Sequence, residues 1–111
     1  MHNLIIAPSA EDDLNRIVDY IAFELGNPPA ADSLLDVVDE CYDTLESLSS
    51  SFPFCHDPVL RANDYHQVEV DGYIMIFRIE KDANVVRVLH YYHSTQDYLE
   101  KFIGDLSRGG R

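Results

Sequence analysis

The chain has 111 residues, 46% of them hydrophobic, and a formal net charge of −12 at pH 7. Its length predicts one domain, and its longest apolar runs are far shorter than the roughly 20 residues that cross a bilayer. The first 57 residues contain twelve acids and one base, whereas the remainder contains eight acids and seven bases. Because an acidic surface repels phosphate, this distribution disfavours a general nucleic-acid binder and restricts contact with RNA or DNA to the second half.

The N-terminus and the two cysteines indicate the cellular compartment. The opening MHNLIIAPSAEDD has neither the basic start nor the long apolar core of a secretory signal. Cys41 falls in an apolar helical pattern and Cys55 in a loop, so no disulfide framework is predicted. We therefore expect a cytoplasmic protein without a membrane partner.

The first half of the chain predicts a short strand and two helices. The strand is Leu4–Ala7, and Pro8 limits it. A helix capped by Ser9 follows and ends at Gly26. Its apolar stripe is formed by Leu14, Ile17, Val18, Ile21 and Leu25. A longer helix begins at the Pro28-Pro29 pair, and two amphipathic helices joined so closely should pack as an antiparallel hairpin.

The second half changes to the two-residue period of strands. Tyr65–Val70 and Tyr73–Glu80 flank Asp71-Gly72, a dipeptide typical of type I′ hairpin turns because both positions tolerate positive φ. A third strand, Val85–His90, follows a second turn. These three strands should form an antiparallel meander.

A short final helix completes the predicted domain. Ser94 is its expected cap and Gly104 its expected end. Its inward face is predicted to contain Leu99, Phe102 and Ile103. Residues 1–104 are thus expected to form a single domain, and residues 105–111 a flexible tail. The result is an α+β domain, β-α-α-β-β-β with a short C-terminal helix, whose helical hairpin packs on one face of a small antiparallel sheet.

Several side chains of the predicted sheet are capable of acid–base catalysis. Catalysis at a phosphate needs a base, an acid and positive charge. Imidazoles, which titrate near neutral pH, are supplied by His66, His90 and His93. Phenols that can stack on bases or orient a phosphate belong to Tyr91, Tyr92 and Tyr98. The arginines of this region are Arg61, Arg78 and Arg87.

Each of these groups also has a structural interpretation. Histidines at strand ends are more often hydrogen-bonded polar residues than catalysts, and neighbouring tyrosines more often pack than bind bases. Strict alternation would place Arg87 on the face of Leu89 and Tyr91, with His90 opposite, so Arg87 and His90 should not share a site. No HxxxH or paired CxxC spacing indicates a metal site, and we expect neither a metal nor another cofactor.

Three segments carry a family resemblance: SAEDDLNRIVDYI with its NPPAA loop, DYHQVEVDGYIMIFRI, and VVRVLHYYHSTQDY. In this order the chain resembles the RelE/ParE superfamily of bacterial type II toxins, whose members share a helical hairpin packed against a small curved sheet. The resemblance implies a toxin that an antitoxin encoded beside it holds inactive. It implies one of two activities, because RelE-like members cleave messenger RNA on the ribosome whereas ParE-like members poison DNA gyrase.

The resemblance also assigns roles to residues. His93 and Tyr98 best match the histidine and tyrosine of related nucleases, with His66 and His90 as further catalytic candidates. The substrate-binding candidates are Arg61, Arg78, Arg87, Tyr91 and Tyr92. RelE-like members generally carry bases on the middle strands and an Arg-rich segment after the last one, and this chain departs from both patterns, with Ser94, Thr95 and Gln96 in the latter place. Three functions stay open: a metal-independent endoribonuclease, a gyrase-binding inhibitor, and a non-toxic homologue that acts only through its partner.

The expected partner is an antitoxin whose tail wraps the toxin as a helix or an added strand. Acids crowd the second predicted helix, among them Asp32, Asp36, Asp39, Glu40 and Asp43. We therefore expect a tail rich in Lys and Arg that associates in a salt-sensitive way. The target would be the ribosome with its messenger RNA, or DNA gyrase, and an exposed sheet edge leaves a homodimer open.

Overall fold

A computed structural model describes residues 3–48, 55, 57–94 and 97–107. The elements are β1 (Asn3–Ile6), α1 (Pro8–Asp19) with a π-helical extension (Tyr20–Glu24), α2 (Pro28–Leu48), α3 (Pro58–Ala62), β2 (Tyr65–Val70), β3 (Tyr73–Glu80), β4 (Val85–His93) and α4 (Tyr98–Ser107). This order confirms the predicted α+β class and adds α3, a short helix that was not predicted. Within the described ranges, no helix has the length and apolar character needed to cross a membrane.

The four strands form one sheet in the order β1-β4-β3-β2. The meander of β2, β3 and β4 is antiparallel, as predicted, and its first turn has φ values of 52° at Asp71 and 86° at Gly72, which suit a type I′ turn. β1 instead runs parallel to β4, with Asn3–Ile6 opposite Val85–Val88. The sheet is therefore mixed rather than purely antiparallel.

Both faces of this sheet are covered. On one face α2 packs Leu34, Val38 and Leu45 into a core with side chains of the strands, among them Met75, Phe77, Val86 and Val88. On the other face lies a second core that contains Cys55, Leu60, Ile74, Ile76, Leu89 and Phe102. The helical hairpin occupies one face, as expected, but α3 and α4 close the other.

The first helix ends at Gly26 as predicted, with a φ of 62° there, but its start and its last turn differ from the prediction. It begins at Pro8, and Ser9 does not cap it but donates a hydrogen bond from Oγ to the carbonyl of Leu89 at 2.7 Å. At the other end the turn widens to the π form, where the amide of Leu25 donates to the carbonyl of Tyr20. The wider turn shifts the phase of the apolar stripe. Leu25, predicted to face inward, is consequently 59% exposed.

The last helix also differs from its prediction. Ser94 does not cap it, because α4 begins at Tyr98, and the helix continues through Gly104 to Ser107. Phe102 is fully buried, as predicted, whereas Ile103 is 41% exposed. A glycine costs a helix only about 1 kcal/mol, which the packing of flanking apolar side chains on the second core outweighs.

A bulge in β4 changes which side chains share a face. Ile76 pairs with His90 and Phe77 with Val88, so Leu89 is the extra residue. Leu89 consequently joins the core beneath α4 while Tyr91 joins the core beneath α2. The expectation from strict alternation, that these two residues share a face with His90 opposite, is wrong.

Two glycine substitutions test these features. Replacing Gly72 with Ala should destabilise the protein by about 1–2 kcal/mol, because its φ of 86° disfavours a side chain. Replacing Gly104 with Ala should stabilise it by about 0.5–1 kcal/mol, because a Cβ there meets no atom within 4 Å and the residue is helical. Urea unfolding measures both, and a Gly104→Ala protein less stable than the parent would contradict a helix that continues through this position.

Candidate functional site

The end of β4 lacks a strand neighbour on the side of β1, because β1 stops opposite Val88. The first helix takes the place of the missing strand. Ser9 bonds the carbonyl of Leu89, and the amide of Tyr91 donates to Oδ2 of Asp13 at 3.1 Å. Since Ser9 and Asp13 are four residues apart, they lie on one side of the helix. Two polar side chains, one helical turn apart, thus form hydrogen bonds with backbone groups at the edge of the strand.

Asp13 also binds the buried imidazole of His90. Its Oδ2 lies 2.8 Å from His90 Nδ1, and its other oxygen pairs with Arg16 at the surface. A carboxylate only accepts hydrogen bonds, so Nδ1 is the donor. Among the described residues Nε2 of His90 has no hydrogen-bond partner. A proton on Nε2 would be a buried, unpaired donor costing about 1–3 kcal/mol, which favours the tautomer protonated on Nδ1.

The candidate catalytic residues are distributed over both faces of the sheet. His66 is 2% exposed and stacks on Phe77, with ring centroids 5.2 Å apart. His90 is buried on the other face, where its ring lies near those of Tyr92 and Phe102. His93 is exposed. Its ring makes an edge-on contact with the ring of Tyr73, and the two ring centroids are 5.3 Å apart.

Tyr98, the expected partner of His93, points elsewhere. Its hydroxyl accepts a hydrogen bond from Nε2 of Gln67 at 2.9 Å, and its ring packs against the core beneath α4. Within the part of the chain that the structure describes, no hydrogen bond or ring pair therefore joins any two of the four catalytic candidates, which are His66, His90, His93 and Tyr98.

The candidate arginines lie at the opposite end of the sheet. Arg87 donates from Nε to Glu80 at 2.7 Å, and this bond lowers the pKa of the Glu80 carboxyl. Arg78 sits directly across from Arg87 and donates to the carbonyl of Asn63 at 3.0 Å, while Arg61 is exposed on α3. On β3, the position opposite Arg87 is five residues from the one opposite His93, a distance of roughly 17 Å. A single phosphate therefore cannot contact both Arg87 and His93.

The two adjacent tyrosines use their hydroxyl groups inside the protein. Tyr91 shares a 2.6 Å hydrogen bond with Tyr42 of α2, and burial raises its pKa far above the usual value. Tyr92 donates to Oδ2 of Asp105 at 2.5 Å and so ties α4 to the sheet. Both tyrosines are buried, which leaves no free ring face for stacking on a base.

A groove of about 800 Å³ runs between α1 and α4 across the end of β4. We call it the α1–α4 groove. It is lined by Asp13, Arg16, Ile17, Tyr20, Tyr73, Tyr91, Tyr92, His93, Asp97, Glu100, Lys101, Gly104 and Asp105. Four of these residues are acids and two are bases. The sequence directed attention to the end of β4, which borders this groove, but it did not reveal the acidic walls.

The contribution of α1 to this site has only a weak sequence signal. Ser9 and Asp13 are spaced to share a helix face, yet their partners are groups of a strand almost 80 residues later. Spacing along the chain cannot identify such partners. Among the described residues, no cluster of three or more His, Cys, Asp and Glu side chains could hold a metal ion.

Comparison with known protein families identifies the family of this chain. Residues 4–98 match the family described as the ParE toxin of the type II toxin–antitoxin system parDE. The chain belongs to this ParE toxin family. It is therefore the toxin component of a type II toxin–antitoxin system. No curated protein matches it in sequence.

Solved structures of toxin–antitoxin systems and of an isolated toxin contain chains with the same fold. A chain of the chromosomal ParDE system from P. aeruginosa superposes with a TM-score of 0.65 at 16% identity, covering 84% of this chain and 96% of that one. The Mycobacterium tuberculosis RelBE2 toxin–antitoxin complex gives 0.54 at 12% identity, covering 83% and 96%. The isolated E. coli RelE toxin gives 0.55 at 12% identity, covering 96% and 99%. At such low identity these likenesses concern the fold alone.

Removing the Asp13 carboxylate should destabilise the ParE family protein strongly. The Asp13→Ala protein leaves the Tyr91 amide and the His90 imidazole without their acceptor, so its free energy of unfolding should fall by about 3 kcal/mol. Asp12→Ala, a change at an exposed neighbour on the same helix, should alter it by less than about 0.5 kcal/mol. Equal losses for the two variants in urea unfolding would show that Asp13 acts only through its general charge.

Proposed function

We propose that this toxin inhibits bacterial growth by binding DNA gyrase, without cleaving RNA, and that a cognate antitoxin neutralises it. The observation that carries this proposal is the separation of His93 from Arg78 and Arg87, two of the arginines predicted to bind the substrate, within the described part of the chain. His93 is exposed but lies in a groove with more acids than bases, while Arg78 and Arg87 are far along the sheet.

RNA cleavage would be poorly served by this arrangement. The transferring phosphate is stabilised by nearby donors and positive charge, and the loss of one such donor commonly reduces the rate by about 100-fold or more. Asp97 and Glu100 line the same groove as His93, and their carboxylates would repel a phosphate there. Two of the other candidate groups, His66 and His90, are buried and engaged.

The π-helical extension, together with the residue that follows it, offers an exposed surface that a protein target could bind. Tyr20, Phe23 and Leu25 are 53%, 78% and 59% exposed, a concentration of large apolar side chains on one short segment. Aromatic residues are enriched among the few that carry most of the energy of protein interfaces. π-helical turns also occur frequently at functional sites. We call these three residues the apolar patch and propose that it contacts gyrase.

Expression without an antitoxin should therefore arrest growth and reduce gyrase supercoiling, while messenger RNA stays intact. Phe23→Ser should weaken gyrase inhibition by about tenfold or more, because it removes an exposed aromatic anchor. Val59→Ser, which changes a 69% exposed apolar residue on α3, should leave inhibition unchanged. His93→Ala should also retain toxicity.

Two outcomes would contradict this proposal. Message cleavage that disappears in the His93→Ala protein would identify a ribonuclease instead. Unimpaired growth in cells that contain the soluble, folded protein would identify a non-toxic homologue that acts only through its partner.

A further inference from the structure

The first strand forms one edge of the sheet. β1 pairs with β4 on one side, and the strand order ends with β1 on the other. The amides of Asn3 and Ala7 donate to carbonyls of the β4 side, at 2.9 Å each. Because backbone groups alternate along a strand, those of Leu4 and Ile6 point outward. Within the described ranges, no backbone group outside β1 and β4 bonds these two residues.

This edge lacks the charges that commonly prevent sheets from pairing with one another. The strand reads NLII and contains no ionisable side chain. Leu4 and Ile6 pack on the core beneath α2, whereas Ile5 lies on the opposite face and is 38% exposed. An uncharged, apolar and accessible edge favours the addition of another strand.

The other edge of the sheet is better protected. There the outward carbonyl of Tyr65 in β2 accepts a hydrogen bond from the amide of Cys55 at 2.9 Å. Gln67 and Glu69 follow at the next outward positions, and the Glu69 carboxylate is exposed. A charged side chain on an edge strand opposes pairing between sheets. Pairing is therefore more favourable at β1 than at β2.

The sequence of β1 is complementary to itself. When two copies run antiparallel about a two-fold axis at Ile5, Leu4 of each copy lies opposite Ile6 of the other. Both residues point their backbone groups outward, so each such pair exchanges both of its hydrogen bonds. The two Ile5 side chains meet as a close pair on one face, and no charges lie opposite each other. Pro8, which has no amide proton, limits the ladder.

We propose that two copies of this chain associate through β1 and join their sheets into one continuous sheet. The interface uses the same strand of both copies, so the assembly closes as a dimer. A strand of four residues buries a small area, and the net charge of −12 on each copy opposes association. The dimer is therefore weak, and it is more stable at high salt because salt screens this repulsion.

Hydrogen exchange in the intact protein tests the interface. Between about 20 μM and about 1 mM protein, exchange of the Leu4 and Ile6 amides should slow by about threefold, while the Gln67 and Glu69 amides stay unchanged. Sedimentation over the same range should show the mass rising toward that of a dimer. A protein that stays monomeric, or a dimer that protects the β2 amides instead, would overturn the proposal. Exchange at Leu4 and Ile6 that is slow at both concentrations would also overturn it, since the edge would be covered within one chain.

A substitution at the two-fold axis tests the register. Ile5→Lys should weaken dimerisation by about tenfold or more, because it places two ammonium groups side by side, although it lowers the overall repulsion between copies. Val59→Lys makes the same change in charge at a 69% exposed position of α3 and should not weaken dimerisation. Equal weakening by the two variants would overturn the proposal. Circular dichroism checks that each variant is folded, and the exchange experiment on the unchanged protein needs no variant.

A charge exchange identifies the partner as a second copy. Ile5→Glu should also prevent dimerisation, whereas an equal mixture of the Ile5→Lys and Ile5→Glu proteins should associate at least as tightly as the unchanged protein. A mixture that stays monomeric would overturn the pairing at Ile5. Protection of Leu4 and Ile6 that appears only when an antitoxin is added would assign the edge to that partner and overturn the proposal. None of these measurements involves gyrase, so their outcome is independent of the proposed function.

Discussion

The carboxylate of Asp13 joins the first helix to the end of the last strand, and the site depends on that junction. The parallel strand β1 is too short to cover β4 beyond Val88. Asp13 accepts from the Tyr91 amide and from the His90 imidazole, while Ser9 bonds the carbonyl of the bulged Leu89. These contacts hold α1 across the strand. They make α1 one wall of the groove whose other wall is α4.

The contact between Asp13 and His90 also determines which histidine of β4 is accessible. A buried imidazole with one nitrogen held by a carboxylate and with aromatic rings around it is a structural element of the strand. It leaves His93 as the exposed imidazole of β4, in a groove where acids outnumber bases. A fold shared with RelE thus carries, in this chain, a groove in which acids outnumber bases.

Much of the fold follows from periodicity and turn chemistry. The Asp71-Gly72 turn specifies the hairpin locally, and the change from a helical to a two-residue period separates hairpin and sheet. What the sequence did not reveal arises from contacts between distant segments. The parallel pairing of β1 with β4 and the second core beneath α4 join segments that are far apart in the chain, and the bulged Leu89 is bonded by Ser9, 80 residues away. A single inserted residue reverses every face that alternation predicts beyond it.

The nitrogen NMR spectrum of His90 in the intact protein at neutral pH tests the Asp13 junction most directly. The structure predicts a proton on Nδ1 that exchanges slowly with solvent, because it lies in a buried 2.8 Å hydrogen bond to Asp13, and an unprotonated Nε2. The exposed ring of His93 provides a fast-exchanging reference in the same spectrum. A proton on Nε2 with Nδ1 unprotonated would show that the bond between Asp13 and His90 does not exist, and would contradict this account of how the groove is built.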